Sequence, residues 1–516
     1  MAENLIKIPA KKKGENLKQR AFLNSVTSII DYAGVQLVGF FVSPFIVRGL
    51  GSEIYGVWQM LSQMTGFANM ADTRASQVLK WSVAQKRDTY AGEILRKEVT
   101  SALLITIFIL PIVLIMGGVI IWYAPYLTNV DESLYGLIRS VCGILMFALV
   151  INKVFDLFES VLRGMNLGFK RMGVRAGIVA FGGGLKVWVI LQGYGIIGLS
   201  LIEVFLSLAT GITFYYIVKA HVPWFGFGKT DRKSLVAYGK LSGWFMAFTG
   251  SKMFLLGSDK IILGYLSTPV YVTQYTITMF ASLALQGIIS AVVNGVIPGI
   301  GSLFGQQHFE KVKQARKLIA NLNWLIVFSI GTSILLLNHS FIQLWMGQDY
   351  FAGNIENFLI ILIALQFVFF QTDSFIINVS LELKEKVMFS IISSVVTFLL
   401  ALWLVPVYQI LGLCISILLG RMVLTIGYPI ILKNKMSERN VFSFTHIRPF
   451  TVSLLVFIGA NYAGQYVSIS DWLSLLGSGG AVILIAGILF WIVGFNAGDR
   501  NETAAVLAKI KLFKSK

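Results

Sequence analysis

Apolar runs of roughly 18 to 25 residues recur along almost the whole chain, each long enough to cross a hydrocarbon layer about 30 Å thick. Inside lipid, a backbone N–H or C=O has no water to pair with. A crossing segment must therefore be a helix or part of a closed barrel. The short alternating segments of a barrel are absent, so the chain is read as all-α. Charged residues are only 13% of it, against about 25% in soluble domains, which excludes a soluble enzyme.

Fourteen spans are expected, at 21–48, 54–79, 99–123, 134–160, 174–192, 195–217, 237–264, 269–299, 317–338, 355–379, 386–406, 409–432, 447–467 and 473–495. The net charge of +18 would suggest a nucleic-acid partner in a soluble protein. Here 34 of the 43 Lys and Arg residues fall in the two tails and in every second loop. The other loops carry acids instead: Glu53, Asp131, Glu132, Asp349, Glu356 and Asp471. This asymmetry predicts that both termini are cytoplasmic, which an even number of spans requires. The segment 1–20 has no apolar core, so no removable signal peptide is expected. Cys142 and Cys414 lie in apolar runs and read as packing residues. No metal-ligand spacing occurs among the four histidines.

The two halves of the chain resemble each other. FIVRGLGSEIYGVWQ (45–59) aligns with IILGYLSTPVYVTQY (261–275), pairing Leu50 with Leu266, Ser52 with Thr268 and Tyr55 with Tyr271. Six spans precede the second copy, so the repeats run parallel, as two pseudo-symmetric six-helix lobes around a central cavity. The expected division is a basic tail at 1–20, a first lobe at 21–217, a cytoplasmic loop at 218–236 and a second lobe at 237–432. Two extra spans (447–495) and a basic tail (496–516) follow.

The stretch from Ser258 to Arg316 resembles the start of the second half of bacterial polysaccharide flippases of the multidrug/oligosaccharidyl-lipid/polysaccharide (MOP) superfamily. The resemblance rests on Asp259-Lys260 before an apolar turn, Gly264, Tyr271, Pro298 and the basic loop that follows. The first half shows the same scheme, except that the family's usual Asp-Leu-Gly is Asp72-Thr73-Arg74 here. The resemblance implies two six-helix lobes with alternating access. It implies a polyprenyl-diphosphate-linked oligosaccharide as cargo, moved from the cytoplasmic to the outer leaflet of a bacterial cytoplasmic membrane. It also implies polysaccharide polymerase or assembly machinery as a partner.

An ionisable group at mid-membrane costs at least about 2.5–3.5 kcal/mol, so it should face a wet cavity or a partner. A diphosphate needs cations to offset its desolvation, and Lys252, Lys186, Arg74 and Arg421 are the candidates. The structural alternative for Lys252 is an ion pair with an adjacent helix. Lys153 and Asp156, three residues apart, are expected to pair with each other. Asp31, Glu203 and Asp373 are candidates for binding a coupling H+ or Na+, or for being neutral hydrogen-bonded carboxyls. No other cofactor is expected. Asn24 and Ser28 share a face with Asp31, Gln286 lies between Ser282 and Ser290, and Gln366 shares a face with Asp373. These stripes suit either a polar cavity or helix–helix contacts. Gly182-Gly183-Gly184 reads as a close-packing patch. A cation-coupled multidrug or small-molecule exporter of the same superfamily is the competing function, and an acidic cavity would favour it.

Overall fold

In the computed structural model, the described residues are 14–68, 75–86, 92–379, 384–436 and 447–504. They are almost entirely helical, as the unbroken apolar composition demands. The helices are α1 (Gly14–Ala68), α2 (Ala75–Lys86), α3 (Gly92–Thr128), α4 (Tyr135–Gly164), α5 (Gly168–Leu191), α6 (Gly195–His221), α7 (Arg232–Leu256) and α8 (Asp259–Leu266). They continue as α9 (Pro269–Thr278), α10 (Phe280–Gly305), α11 (Phe309–Trp345), α12 (Asn354–Val379), α13 (Lys384–Met436), α14 (Ile447–Gly464) and α15 (Trp472–Leu489).

Among the described residues, nine helices are long and apolar enough to cross a membrane. The pair α9 and α10, bent by 50°, makes a tenth. The count is lower than fourteen partly because hairpins are counted as one helix. α13 has 53 residues and would be about 80 Å long if straight, more than twice the hydrocarbon thickness. It is interrupted at Gln409, whose φ of 46° and ψ of −118° are not helical. α1 is interrupted in the same way at Gly51, with φ 79° and ψ 165°. Each is two crossing segments joined almost without a loop. Large apolar side chains such as Phe108, Trp122, Phe181, Trp403 and Leu473 are exposed, as expected for side chains that face lipid. The protein is a multi-pass membrane protein.

The internal repeat is written into the element boundaries. Laying Phe45 on Ile261, as in the sequence alignment, places α3 over α11 with ends matching to within one residue. The same superposition maps the single 3₁₀ turn Glu132–Leu134 onto the 3₁₀ turn Gln348–Tyr350. The start of α5 maps onto the start of α13, and the break at Gly51 onto the gap at Ser267 between α8 and α9. Gly193, which turns the chain from α5 to α6 with φ 78°, maps onto Gln409.

Contacts divide the chain into two units, Met1–Pro269 and Val270–Lys516. In the first, α1 packs on α5, and α4 packs on α6. α5 also packs on α6, and its glycines permit both of its contacts: a Cβ on Gly183 would lie 2.6 Å from Val38 of α1, and one on Gly182 would lie 2.4 Å from Leu206 of α6. Gly184 meets nothing. The segment expected to join the lobes is tied into the first unit. Arg96 Nε donates to the Trp224 carbonyl at 2.7 Å, Gly228 N donates to Thr100 Oγ1 at 2.8 Å, and Lys97 pairs with Asp231. α7 follows it, with the Tyr238 hydroxyl donating to the Ala75 carbonyl at 3.0 Å. In the second unit α12 packs on α13, and α11 carries α14 and α15. Both cysteines are buried and neither is in a disulfide.

Candidate functional site

A cavity of about 500 Å³ opens within the first unit, between the second half of α1, the middle of α4 and α6. α1 contributes Trp58, Ser62 and Thr65. α4 contributes Asn152, Lys153 and Asp156, above an apolar floor of Leu145, Ala148 and Leu149. α6 contributes Glu203 and Ser207. Trp58, Ser62 and Thr65 on α1, Asn152 and Asp156 on α4, and Glu203 and Ser207 on α6 recur at three or four residues, which places each set on one face; Lys153 follows Asn152 directly.

The wall is internally bonded. Asn152 Nδ2 donates to Ser207 Oγ at 2.9 Å, and Ser207 Oγ donates to the Glu203 carbonyl at 2.7 Å. Lys186 reaches from α5 to Glu203 Oε1 at 2.5 Å, and both side chains are partly exposed. Glu203 is therefore a charge-compensated carboxylate on the cavity wall, with its cation held by the neighbouring helix. With Lys153 and Asp156 also on the wall, the cavity presents both signs of charge, an amide, hydroxyls and an indole face. Such a surface suits a hydroxyl-rich or zwitterionic molecule better than a simple organic cation.

The other expected residues lie elsewhere. Asp31 is buried and accepts from Arg175 Nη1 of α5 at 2.7 Å, while its Oδ1 has no hydrogen-bond partner. Asp373 of α12 takes a two-pronged bond from Arg316 of α11, at 2.7 and 2.8 Å. Arg421 is 8% exposed and stacks 5.9 Å over the Phe370 ring. Gln366 Nε2 donates to the Leu418 carbonyl at 3.1 Å, and its Oε1 is unbonded. Gln286 Nε2 lies 3.5 Å from Ser282 Oγ along its own helix. Arg74 and Asp72 lie outside the described residues, as do the side chains of Asn24, Ser28 and Lys252 and the tail from residue 505.

The structure thus brings Lys186 and Glu203 together, and ties Asp31 and Asp373 to arginines absent from the sequence-derived set. It also adds Trp58, Ser62, Thr65, Asn152 and Ser207 to the site. Their signal was the i, i+4 spacing of Asn152 with Asp156 and of Glu203 with Ser207. Among the described residues, no cluster of three or more His, Cys, Asp or Glu could hold a metal ion.

No protein-family model matches the sequence, and neither does any curated protein. Solved structures do match. The lipid II flippase MurJ in an inward closed conformation aligns with a TM-score of 0.67 at 13% identity, covering 91% of this chain and 99% of that one. An inward-facing multidrug resistance MATE family transporter of the MOP superfamily aligns at 0.58 and 13%, covering 78% and 94%. MATE in complex with MaD3S aligns at 0.55 and 16%, covering 81% and 96%. The chain shares its fold with MurJ and these MATE proteins. Within this chain's repeat of α3–α6 in α11–α13, the first-unit cavity lies inside the first copy together with α1.

Proposed function

We propose that the chain is a flippase. In this reading it moves a polyprenyl-diphosphate-linked oligosaccharide from the cytoplasmic to the outer leaflet of a bacterial cytoplasmic membrane, by alternating access, for surface polysaccharide biosynthesis. The observation that carries this reading is the compensated wall of the first-unit cavity. Glu203 is paired by Lys186, Lys153 stands beside Asp156, and Asn152, Ser62, Thr65 and Ser207 offer groups that match sugar hydroxyls. Trp58 supplies an apolar ring face for a sugar. The likeness to MurJ over 91% of the chain, longer than either MATE alignment given above, adds support.

Within this reading Lys252, Lys186, Arg74 and Arg421 are the cations offered to the diphosphate. Glu203 is the favoured site for a coupling H+ or Na+, because of the three expected carboxylates it is the one that lines the cavity; each of the three is engaged by a cation. Both termini are cytoplasmic, and the polysaccharide polymerase or assembly machinery is the partner. The competing reading, cation-coupled export of small molecules, draws on the MATE likenesses and on Asp156 and Glu203 in the wall.

The test is reconstitution into proteoliposomes with a fluorescent short-chain polyprenyl-diphosphate oligosaccharide, followed by leaflet-selective quenching. The flippase reading expects protein-dependent exposure of the inner-leaflet probe to the quencher, abolished in Lys252→Ala while that variant still inserts. Transport of a cationic dye under a proton or sodium gradient, with no movement of the lipid-linked sugar, would establish the exporter instead.

A further inference from the structure

We propose that the corner between α4 and α5 binds a phosphate group carried by an anionic membrane lipid. α4 ends at Gly164 and α5 begins at Gly168, with Asn166 turning the chain at φ 58°. The corner joins two spans, so it lies at the depth of the lipid phosphates.

Four cations meet there. Arg171, in the first turn of α5, is 2% exposed, and its Nε and Nη1 have no hydrogen-bond partner. The nearest carboxylate oxygen, Glu159 Oε1, is 3.2 Å from Nη1, and Arg163 also binds it. Arg163 and Arg175 act on Arg171 electrostatically, opposed by Glu159 and Asp31. Lys80 of α2 feels the same Arg163, Arg171 and Glu159. Asp31 is taken up by Arg175 at 2.7 Å. Among the described residues, these four cations face two carboxylates, and Lys170 in the same first turn adds to the excess of positive charge around a buried guanidinium with unused donors.

The helix adds to that excess. α5 starts with no side-chain cap and no acid in its first turn, so its free N–H groups and dipole also favour an anion. Basic residues at a helix start oppose the dipole unless an anion offsets both. The repeat offers a contrast: Arg171 itself maps onto Val387, so the second copy has no buried guanidinium here. Lys170 maps onto Lys386 at the start of α13, and Lys386 is satisfied within the protein. Its Nζ donates to Asn378 Oδ1 at 2.5 Å and to the Ser374 carbonyl at 3.1 Å. The second copy closes its corner on its own amide and carbonyl oxygens. The first copy leaves donors over.

A phosphodiester has the charge and acceptor oxygens to take up those donors, and a lipid carries it at the right depth. The site lies at the end of the α4–α5 hairpin and would fix it to one leaflet, whatever the transported cargo.

The test is native mass spectrometry of the full chain in neutral detergent. It is titrated separately with phosphatidylglycerol, with phosphatidylcholine of the same acyl chains, and with inorganic pyrophosphate. Phosphatidylglycerol is expected to be retained and phosphatidylcholine lost. Arg163→Gln should weaken phosphatidylglycerol binding about tenfold, the value of one charge-assisted bond. Glu159→Gln, which removes the internal competitor for the same guanidinium groups, should tighten it several-fold. A misfolded variant cannot give that opposite change. Equal retention of both lipids, or weakened binding in Glu159→Gln, overturns the site. Pyrophosphate binding without phosphatidylglycerol binding overturns the lipid as its source.

Discussion

The Arg316–Asp373 pair gives the sharpest test of how the second unit is held together. Both nitrogens of the fork are within 2.8 Å of the carboxylate, and the side chains are 23% and 11% exposed. An exposed pair is worth about 0.2–1 kcal/mol, whereas removing one partner of a buried pair costs about 3–5 kcal/mol. This pair is mostly but not fully withdrawn from water, so each single alanine variant should lose about 2–3 kcal/mol. Most of that loss is the charge left behind. The double variant Arg316→Ala/Asp373→Ala should therefore be nearly as stable as either single one, with a coupling of about 1–3 kcal/mol. The assay is reversible unfolding in mixed micelles at rising SDS fraction, followed by tryptophan fluorescence. If the two losses simply add, the link between α11 and α12 is not an ion pair in the working protein. If Asp373→Asn leaves stability intact while abolishing the response to a proton or sodium gradient, Asp373 is a coupling residue and the stability reasoning is wrong.

Lys186→Ala should leave Glu203 unpaired on the cavity wall and lower the transport rate, and adding Glu203→Gln should recover part of it in the double variant; unchanged rates in both would separate the pair from transport. Gly412→Ala puts a Cβ 2.3 Å from the Leu404 carbonyl oxygen, which only a backbone shift can relieve. It should cost about 1–3 kcal/mol in the same micelle assay, whereas Gly184→Ala should be nearly neutral. Asp471 caps α15 by accepting from Ser474 N at 2.8 Å, and that bond holds its carboxyl below the ordinary carboxylate range. The cap is therefore complete above the ordinary carboxylate pKa and is lost as pH falls through the lowered value, which amide exchange at residues 472–475 will follow.

The helical architecture was legible because burial in lipid leaves a chain no alternative, and the internal repeat was legible because both copies keep a leucine, a small hydroxyl residue and a tyrosine at matching places around the first break. The interruptions were harder to see. Gly51 could be suspected from its residue type, but Gln409 adopts a positive φ that side chains with a Cβ rarely take, and the repeat alone points to it through Gly193. Span 7 read as continuous, yet it breaks between Leu256 and Asp259 where no proline marks the place. The candidate site was half legible. Intramembrane charges announce themselves by their cost, but their partners do not. Arg175 lies 144 positions from Asp31, and Arg316 lies 57 from Asp373. Lys186 and Glu203 are the exception, since they flank a short turn between antiparallel helices and register alone could have matched them.

The turns at Gly51, Gly193 and Gln409 are too short to act as joints. Two rods fused at so tight an elbow must travel together, like the arms of a hairpin clip, and any relative motion of helices has to be taken up elsewhere. Among the described residues, the stretch between Leu256 and Phe280 differs, because three interruptions in close succession cut the path into short pieces. Labels placed on either side of that stretch should report motion, while labels on the two arms of one clip should keep a constant distance.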